Sequence, residues 1–180
     1  MRINKGILKS RRFSIPKQFP SRPTTDFAKE ALFNILEHRI PFYQLQILDL
    51  CAGTGNISFE FASREAGKII AVDKNFNCVQ FIRKTAKDFG VDEAIDVLKS
   101  DALRYLEQTG LQFDIIFCDP PFDADFHRQI IDKVFERSLL KPNGWLVVEH
   151  GKDVKLEEIS YFHDEKKYGS VFFTFFKNEQ

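Results

Sequence analysis

Two short stretches carry residue types at spacings that suit chemistry. The first, Asp119-Pro120-Pro121-Phe122, follows directly on an apolar run, Phe113–Cys118. Asp119 and the Pro120 carbonyl offer two neighbouring hydrogen-bond acceptors, and the prolines fix φ and hold that carbonyl in place. Such a pair suits an exocyclic amine on an aromatic base, a poor nucleophile because its lone pair is delocalised into the ring. Accepting one N–H at each oxygen favours a pyramidal nitrogen and aims its lone pair, which is work of positioning and electrostatics. Phe122 adds a flat face for a base to stack on, a contact worth about 1–3 kcal/mol. In isolation the same four residues are also a strand stopped by two prolines, so their surroundings decide the reading.

Those surroundings include a glycine loop, Asp49-Leu50-Cys51-Ala52-Gly53-Thr54-Gly55-Asn56, placed where an apolar run meets an amphipathic stretch. Glycines there allow a sharp turn and a close backbone approach to a ligand. The loop is not a dinucleotide fingerprint, because Ser58 stands at the third glycine position, and no Lys-Ser/Thr pair follows to make a P-loop. Asp73 ends the next apolar run, 18 residues after Gly55, where its carboxylate suits two ribose hydroxyls. Asp101, before Ala102, follows the third run and suits an adenine amino group, and Asp49 suits an ammonium. Any one of these acids also reads as a helix N-cap. Together, in a phosphate-free acidic lining, they point to a cationic nucleoside cofactor, S-adenosylmethionine, rather than a pyrophosphate.

The elements that must position these residues follow from periodicity. Apolar runs at Ile47–Cys51, Ile69–Val72, Ala94–Leu98, Phe113–Cys118 and Trp145–Val148 alternate with amphipathic stretches near 56–65, 75–89, 101–108 and 124–137. That alternation predicts a parallel sheet covered by helices on both faces. Thr24-Thr25-Asp26 supplies N-cap chemistry for an earlier helix ended by Pro41. Near the end, segments at about 158–166 and 170–176 joined by Tyr168-Gly169 predict an antiparallel hairpin. Val171–Phe176 is apolar on both faces and so belongs inside the sheet. The expected fold class is α/β: a Rossmann-like class I methyltransferase with a mostly parallel seven-stranded sheet.

The chain has 180 residues, 43% of them apolar, with 20 phenylalanines, which suits one domain with an aromatic core. Cys51, Cys78 and Cys118 lack the close spacing of a zinc site, and an odd number argues against a disulfide framework. We read them as buried thiols and expect no metal. No stretch has the length of a signal or membrane span, so the expectation is a cytoplasmic monomer with no membrane partner. Net charge is zero, yet residues 1–25 carry seven cations (Arg2, Lys5, Lys9, Arg11, Arg12, Lys17, Arg22) and no anion. Residues 1–23 thus read as a basic β-type extension, broken by Pro16, Pro20 and Pro23, on a methyltransferase domain spanning 24–180. Such an arm suits a polyanion contacted locally.

Asp119-Pro120-Pro121-Phe122 resembles the (Asn/Asp)-Pro-Pro-(Tyr/Phe) signature of amino-methyltransferases acting on adenine N6, guanine N2 and cytosine N4. A carboxylate favours guanine, whose N1–H and N2–H₂ are both donors, over adenine, whose N1 is an acceptor. Beyond that motif, the chain resembles the RsmD family of bacterial methyltransferases. The resemblance is carried by Met1-Arg2-Ile3, Gly6, Lys9/Arg11/Arg12, Arg22-Pro23-Thr24-Thr25-Asp26, Glu30–Asn34, the Leu48–Gly55 loop, Glu149 and Lys167-Tyr168-Gly169. The family loop is usually Phe-Ala-Gly-Ser-Gly, here Cys51-Ala52-Gly53-Thr54-Gly55; arginines usual in the first turn of the helix are Phe27 and Lys29 here.

The resemblance implies S-adenosylmethionine-dependent methylation of guanine N2 in 16S ribosomal RNA, with a partly assembled small ribosomal subunit as substrate. It implies cofactor contacts from Asp49, Ala52, Gly53, Gly55, Asp73, Asp101, Ala102, Thr24 and Thr25. Catalysis would fall to Asp119, Pro120, Pro121 and Phe122, and RNA contacts to Lys5, Lys9, Arg11, Arg12 and Arg22. The alternatives are an adenine-N6 methyltransferase acting on DNA or RNA, and a non-catalytic RNA- or nucleotide-binding module. A DNA enzyme would need an inserted recognition segment, for which the chain has no room.

If the arm supplies phosphate contacts, the triple variant Lys9→Ala, Arg11→Ala, Arg12→Ala should bind small ribosomal subunits more weakly and with a flatter salt dependence. Each lost contact removes roughly 0.7–0.9 from the log–log slope, so the expected decrease is about two to three. Parallel salt titrations for the wild type and the variant would show the arm to be only a solvated extension.

Overall fold

The computed structural model of the protein describes residues 1–16, 19, 24–121 and 124–179. Among the described residues, five helices and seven strands follow one another as α1 (Asp26–Arg39), β1 (Gln46–Leu50), α2 (Asn56–Ser63), β2 (Lys68–Asp73), α3 (Phe76–Phe89), β3 (Ile95–Lys99), α4 (Ala102–Gln108), β4 (Phe113–Cys118), α5 (Ala124–Glu136), β5 (Leu140–His150), β6 (Phe162–Tyr168) and β7 (Val171–Lys177). The strands form one sheet in the order β3-β2-β1-β4-β5-β7-β6. Strands β1 to β5 pair in parallel, and β7 pairs antiparallel with both β5 and β6. Phe173–Phe176 are fully buried because β7 has a strand on each side and core on both faces.

Side-chain alternation divides the core in two. Ile47, Ile115, Phe117 and Val147 pack with residues of α1, α2 and α3 on one face of the sheet. Leu48, Leu50, Ile116, Cys118, Leu146 and Val148 pack with residues of α4 and α5 on the other. Order β3-β2-β1-β4 reverses the direction of winding between β1 and β4, which opens a crevice at the carboxyl ends of those two strands, the usual place for a ligand in such sheets.

The basic arm is docked against the domain. Ile3 donates its N–H to the Arg11 carbonyl at 3.0 Å and Ser10 to that of Ile3 at 2.9 Å, which folds residues 1–13 into a tight loop. Ile3, Leu8 and Phe13 are buried, while Arg2, Lys5, Lys9, Arg11 and Arg12 are exposed. Phe13 meets Phe59 and Phe89 edge-on at 5.2 and 5.8 Å, contacts worth about 0.5–1.5 kcal/mol each beyond burial. Gly6 sits directly on α2: a Cβ there would lie 1.8 Å from the Ser63 carbonyl oxygen, so no other residue fits.

Beneath this loop lies an ion pair. Lys29 Nζ is 3.2 Å from Glu60 Oε2, and both side chains are fully buried. Glu60 also accepts the backbone N–H groups of Asn4 and Lys5 at 3.0 and 3.2 Å and pairs with Arg64 at 2.9 Å. Lys29 donates further to the Arg2 carbonyl at 2.6 Å and to Asn56 Oδ1 at 2.8 Å. Every charge is met by hydrogen bonds, the condition under which buried ions are tolerated.

Burial is the main influence holding the Lys29 pKa below its ordinary value, with Glu60 opposing it. Substituting Glu60→Ala would strand that ammonium, and loss of one partner of a buried pair costs about 3–5 kcal/mol. A folded-state pKa below the unfolded one means the unfolded chain binds more protons, so this contribution to stability rises with pH. Urea unfolding of the variant should therefore show a deficit that shrinks as pH rises toward the ordinary lysine pKa of 10.5; a deficit equal at neutral and alkaline pH would contradict the assignment.

Candidate functional site

At the carboxyl ends of the parallel strands lies a cavity of about 610 Å³. It is walled by Thr24 and Thr25 ahead of α1, the loop after β1, Asp73 and Asn75 after β2, Ser100–Ala102 after β3, Asp119–Pro121 after β4, and Glu149–Gly151 at the end of β5. Among the described lining residues, five carboxylates face one lysine, Lys74.

Local structure explains how each wall is held. Cys51 and Gly53 have φ of 58° and 54°, left-handed values that turn the chain sharply after β1. Asp73 braces that turn: its Oδ2 accepts the Gly53 N–H and its Oδ1 the Asn75 N–H, both at 2.8 Å. Asp101 is the N-cap of α4 and accepts the Arg104 N–H at 3.2 Å. Asp49 Oδ2 accepts from the Ser58 hydroxyl at 2.5 Å and the Ser58 N–H at 3.1 Å. Thr25 caps α1 by accepting the Ala28 N–H at 3.2 Å, and Thr24 donates its hydroxyl to Glu149 Oε2 at 2.6 Å.

Three of the carboxyls face the same side of the sheet. Asp49, Asp119 and Glu149 each follow by two a residue of the α1–α2–α3 core: Ile47, Phe117 and Val147. Strand alternation turns Asp49 and Glu149 toward that side, and Asp119, one residue beyond the end of β4, meets them at the same cavity. Burial pushes Asp49 up to about 7, with the charges of Asp73 and Glu149 adding to it and the Ser58 hydrogen bonds opposing it. Burial likewise raises Glu149 to about 7 against the Thr24 hydrogen bond. Asp119 is held well above the ordinary carboxylate range by burial and by the neighbouring Glu149 and Asp49 charges. A cation seated among these groups would favour their ionised forms.

Of the residues expected from sequence, Asp49, Ala52, Gly53, Asp73, Asp101, Ala102, Thr24, Thr25, Asp119, Pro120 and Pro121 all reach this one cavity. Gly55 does not line it. At φ 75° it faces the protein interior, where a Cβ would come within 2.9 Å of Phe59 and 3.0 Å of Ile82, so its small size serves packing. Phe122 and Arg22 lie outside the described residues. Lys5, Lys9, Arg11 and Arg12 stand on the arm, away from the cavity wall, though the Met1 sulfur accepts from the Thr54 hydroxyl at 3.4 Å and so brings the arm against the glycine loop. Lys29, at a position where the resembling family carries an arginine, is buried in the ion pair with Glu60 and offers no RNA contact. Sequence reasoning gave no role to Glu149, His150 or Asn56: Glu149 entered only among the residues that carry the family resemblance, and Asn56 only as the end of the glycine loop.

Glutamine at position 149 should remove one titration from the fold. In the wild type the folded state holds the Glu149 proton up to about 7, whereas an unfolded glutamate releases it near 4.5. Wild-type stability therefore falls, relative to Glu149→Gln, as pH rises through that window. Thermal unfolding of both proteins from about pH 4 to pH 8 measures this, and a constant difference in midpoint would refute it.

Known proteins share this architecture and much of the sequence. The family model described as Conserved hypothetical protein 95 matches residues 1–177. Ribosomal RNA small subunit methyltransferase D of Haemophilus influenzae is 33% identical over 159 residues, covering 87% of this chain and 81% of that protein. A putative rRNA methyltransferase, YlbH of Bacillus subtilis, is 32% identical over 164 residues, covering 88% and 86%. Among solved structures, a putative methyltransferase, yhhF from Escherichia coli, superposes with a TM-score of 0.86 at 27% identity over 99% of this chain and 98% of that one. An RNA methyltransferase from Salinibacter ruber, solved with S-adenosyl-L-homocysteine, shares the fold at a TM-score of 0.70 and 16% identity, covering 88% and 95%.

Proposed function

The chain belongs to the RsmD family, the one described as Conserved hypothetical protein 95, and from that premise we propose that it methylates N2 of a guanine in 16S ribosomal RNA. The observation that carries the reading is the meeting of Asp119 and Pro120 with the glycine loop and Asp73 in a single acidic cavity. The relatives named as small-subunit ribosomal RNA methyltransferases support the RNA class of substrate.

The residues present fit S-adenosylmethionine. Ala52 and Gly53 offer backbone for close approach, Asp73 and Asp101 stand at the ends of β2 and β3 for hydroxyl and amino donors, and Asp49 lies deeper for a cationic amine. A cavity lined by five carboxylates suits a sulfonium and repels a pyrophosphate. When bound, this group supplies an electrophilic methyl carbon.

The protein's own part is to orient the nucleophile. Asp119 accepts one N–H of the exocyclic amine and the Pro120 carbonyl the other, leaving the lone pair directed at the methyl carbon. Pro120 is buried and Pro121 exposed, so the carbonyl between them is held by two fixed φ angles. Nitrogen becomes acidic only once methylated, so a strong base is not required. In the same reading, residues 1–23 contact RNA through Lys5, Lys9, Arg11, Arg12 and Arg22, while residues 24–180 perform the transfer on a partly assembled subunit.

Mass mapping of modified nucleosides in small-subunit RNA from cells lacking the gene should reveal one guanine without its N2-methyl group, restored by the wild type. Calorimetry should then separate the roles. Asp119→Ala should nearly abolish transfer while changing cofactor affinity little; Asp73→Ala should weaken cofactor binding by about 1–3 kcal/mol through lost charge-assisted hydrogen bonds. Equal losses of cofactor affinity would contradict this division, and intact methylation in the deletion strain would overturn the function.

A further inference from the structure

One buried carboxyl in the cavity is left unused by that reaction. Val148 pairs in register with Cys118, so Glu149 stands beside Asp119 at the carboxyl ends of neighbouring strands, and both project to the same face. Glu149 is 7% exposed. One of its oxygens, Oε2, takes the Thr24 hydroxyl at 2.6 Å. Thr24 is held in turn, its carbonyl accepting from Asn56 Nδ2 at 3.1 Å, and Asn56 Oδ1 accepting from Lys29 Nζ at 2.8 Å. A relay of buried hydrogen bonds, anchored on a fully buried ion pair, thus sets the orientation of a single carboxylate. A carboxylate has about four lone-pair sites, and the Thr24 hydroxyl uses one, which leaves Glu149 able to accept from a ligand in the cavity it lines.

We propose that Glu149 is a specificity-determining residue that accepts the ring N1–H of the target guanine while Asp119 and Pro120 accept from its N2 amine, with Thr24 as the residue that positions Glu149. This inference rests on the guanine-N2 reading above. Guanine carries the N1–H and N2–H₂ donors side by side on one edge, and two adjacent carboxylates meet adjacent donors. Adenine presents a lone pair at N1 beside its amine, so a second carboxylate there faces an acceptor and is left unpaired in a buried site. Selection against adenine thus comes from repulsion as well as from a missing bond.

The test uses small-subunit RNA reconstituted with 2-aminopurine in place of the mapped target guanine. That base keeps the N2 amine but has an unprotonated N1. Wild-type protein should transfer methyl to guanine about 10- to 100-fold more efficiently than to 2-aminopurine, the scale of an unsatisfied buried acceptor. Glu149→Gln, whose side-chain amide can donate to that N1, should narrow the ratio about tenfold or more, mainly through the 2-aminopurine substrate. Thr24→Val should narrow it partly and Thr24→Ser should restore it, which a purely structural role for Thr24 would not produce. Thermal unfolding and cofactor titration confirm that each variant is folded. Equal loss on both bases in Glu149→Gln, or a wild type indifferent to N1, would overturn the proposal. A wild type that methylates no guanine would instead refute the function on which it rests.

Discussion

The buried pair Lys29–Glu60 is the interaction on which the rest of the molecule depends. Two charges removed from water are stable only when every donor and acceptor is met, and here the partners come from three places in the chain: the arm, α1, and α2 from Asn56 at its start to Glu60. The pair consequently fixes how the arm lies, how α1 sits against α2, and where Thr24 stands before α1. Arg64 extends the network to Glu37 at 2.6 Å, and Glu37 pairs with Lys5 at 3.0 Å, so part of the arm's positive charge is already matched on its own surface. Ions retained in an interior are weak evidence for stability, because desolvation offsets much of their attraction.

The site obeys a second constraint, the alternation of side chains along a strand. Because β1, β4 and β5 end in the same phase, their last acidic residues converge on one side of the sheet, while the residues between them fill the α4–α5 core. Shifting β4 or β5 by one residue would bury a carboxylate in that apolar layer instead. The burial that raises these acids is therefore a product of register, and it is maintained by the same strand pairing that holds the sheet together.

Much of this was legible in the sequence because it is local. Short apolar runs marked the parallel strands, Thr25 announced the start of α1, and an apolar pattern on both faces of Val171–Phe176 placed β7 inside the sheet. What could not be read depends on contacts distant along the chain. Lys29 looks like a surface cation in a first turn; only the arrival of Glu60 and the arm shows it to be interior. Gly55 belongs to a ligand-binding pattern, yet its neighbours Phe59 and Ile82 make it a packing residue. Strand β5 extends to Leu140 through the polar residues Lys141, Pro142 and Asn143, where the pairing with β4 shifts register, a bulge that no periodicity anticipates. Glu149 was legible only as one of the residues of the family resemblance, and its part in the site comes from lying across from Asp119.

The left-handed Cys51 at the turn of the glycine loop has a further consequence. Burial, with the charges of Asp73 and Asp119 behind it, pushes its thiol up to about 12. An ordinary cysteine is a few per cent thiolate at neutral pH, whereas at this position the thiol is held protonated. Cys51 lines the cavity beside the glycine loop, and a thiol held protonated there is a weak nucleophile toward any electrophile that occupies the cavity.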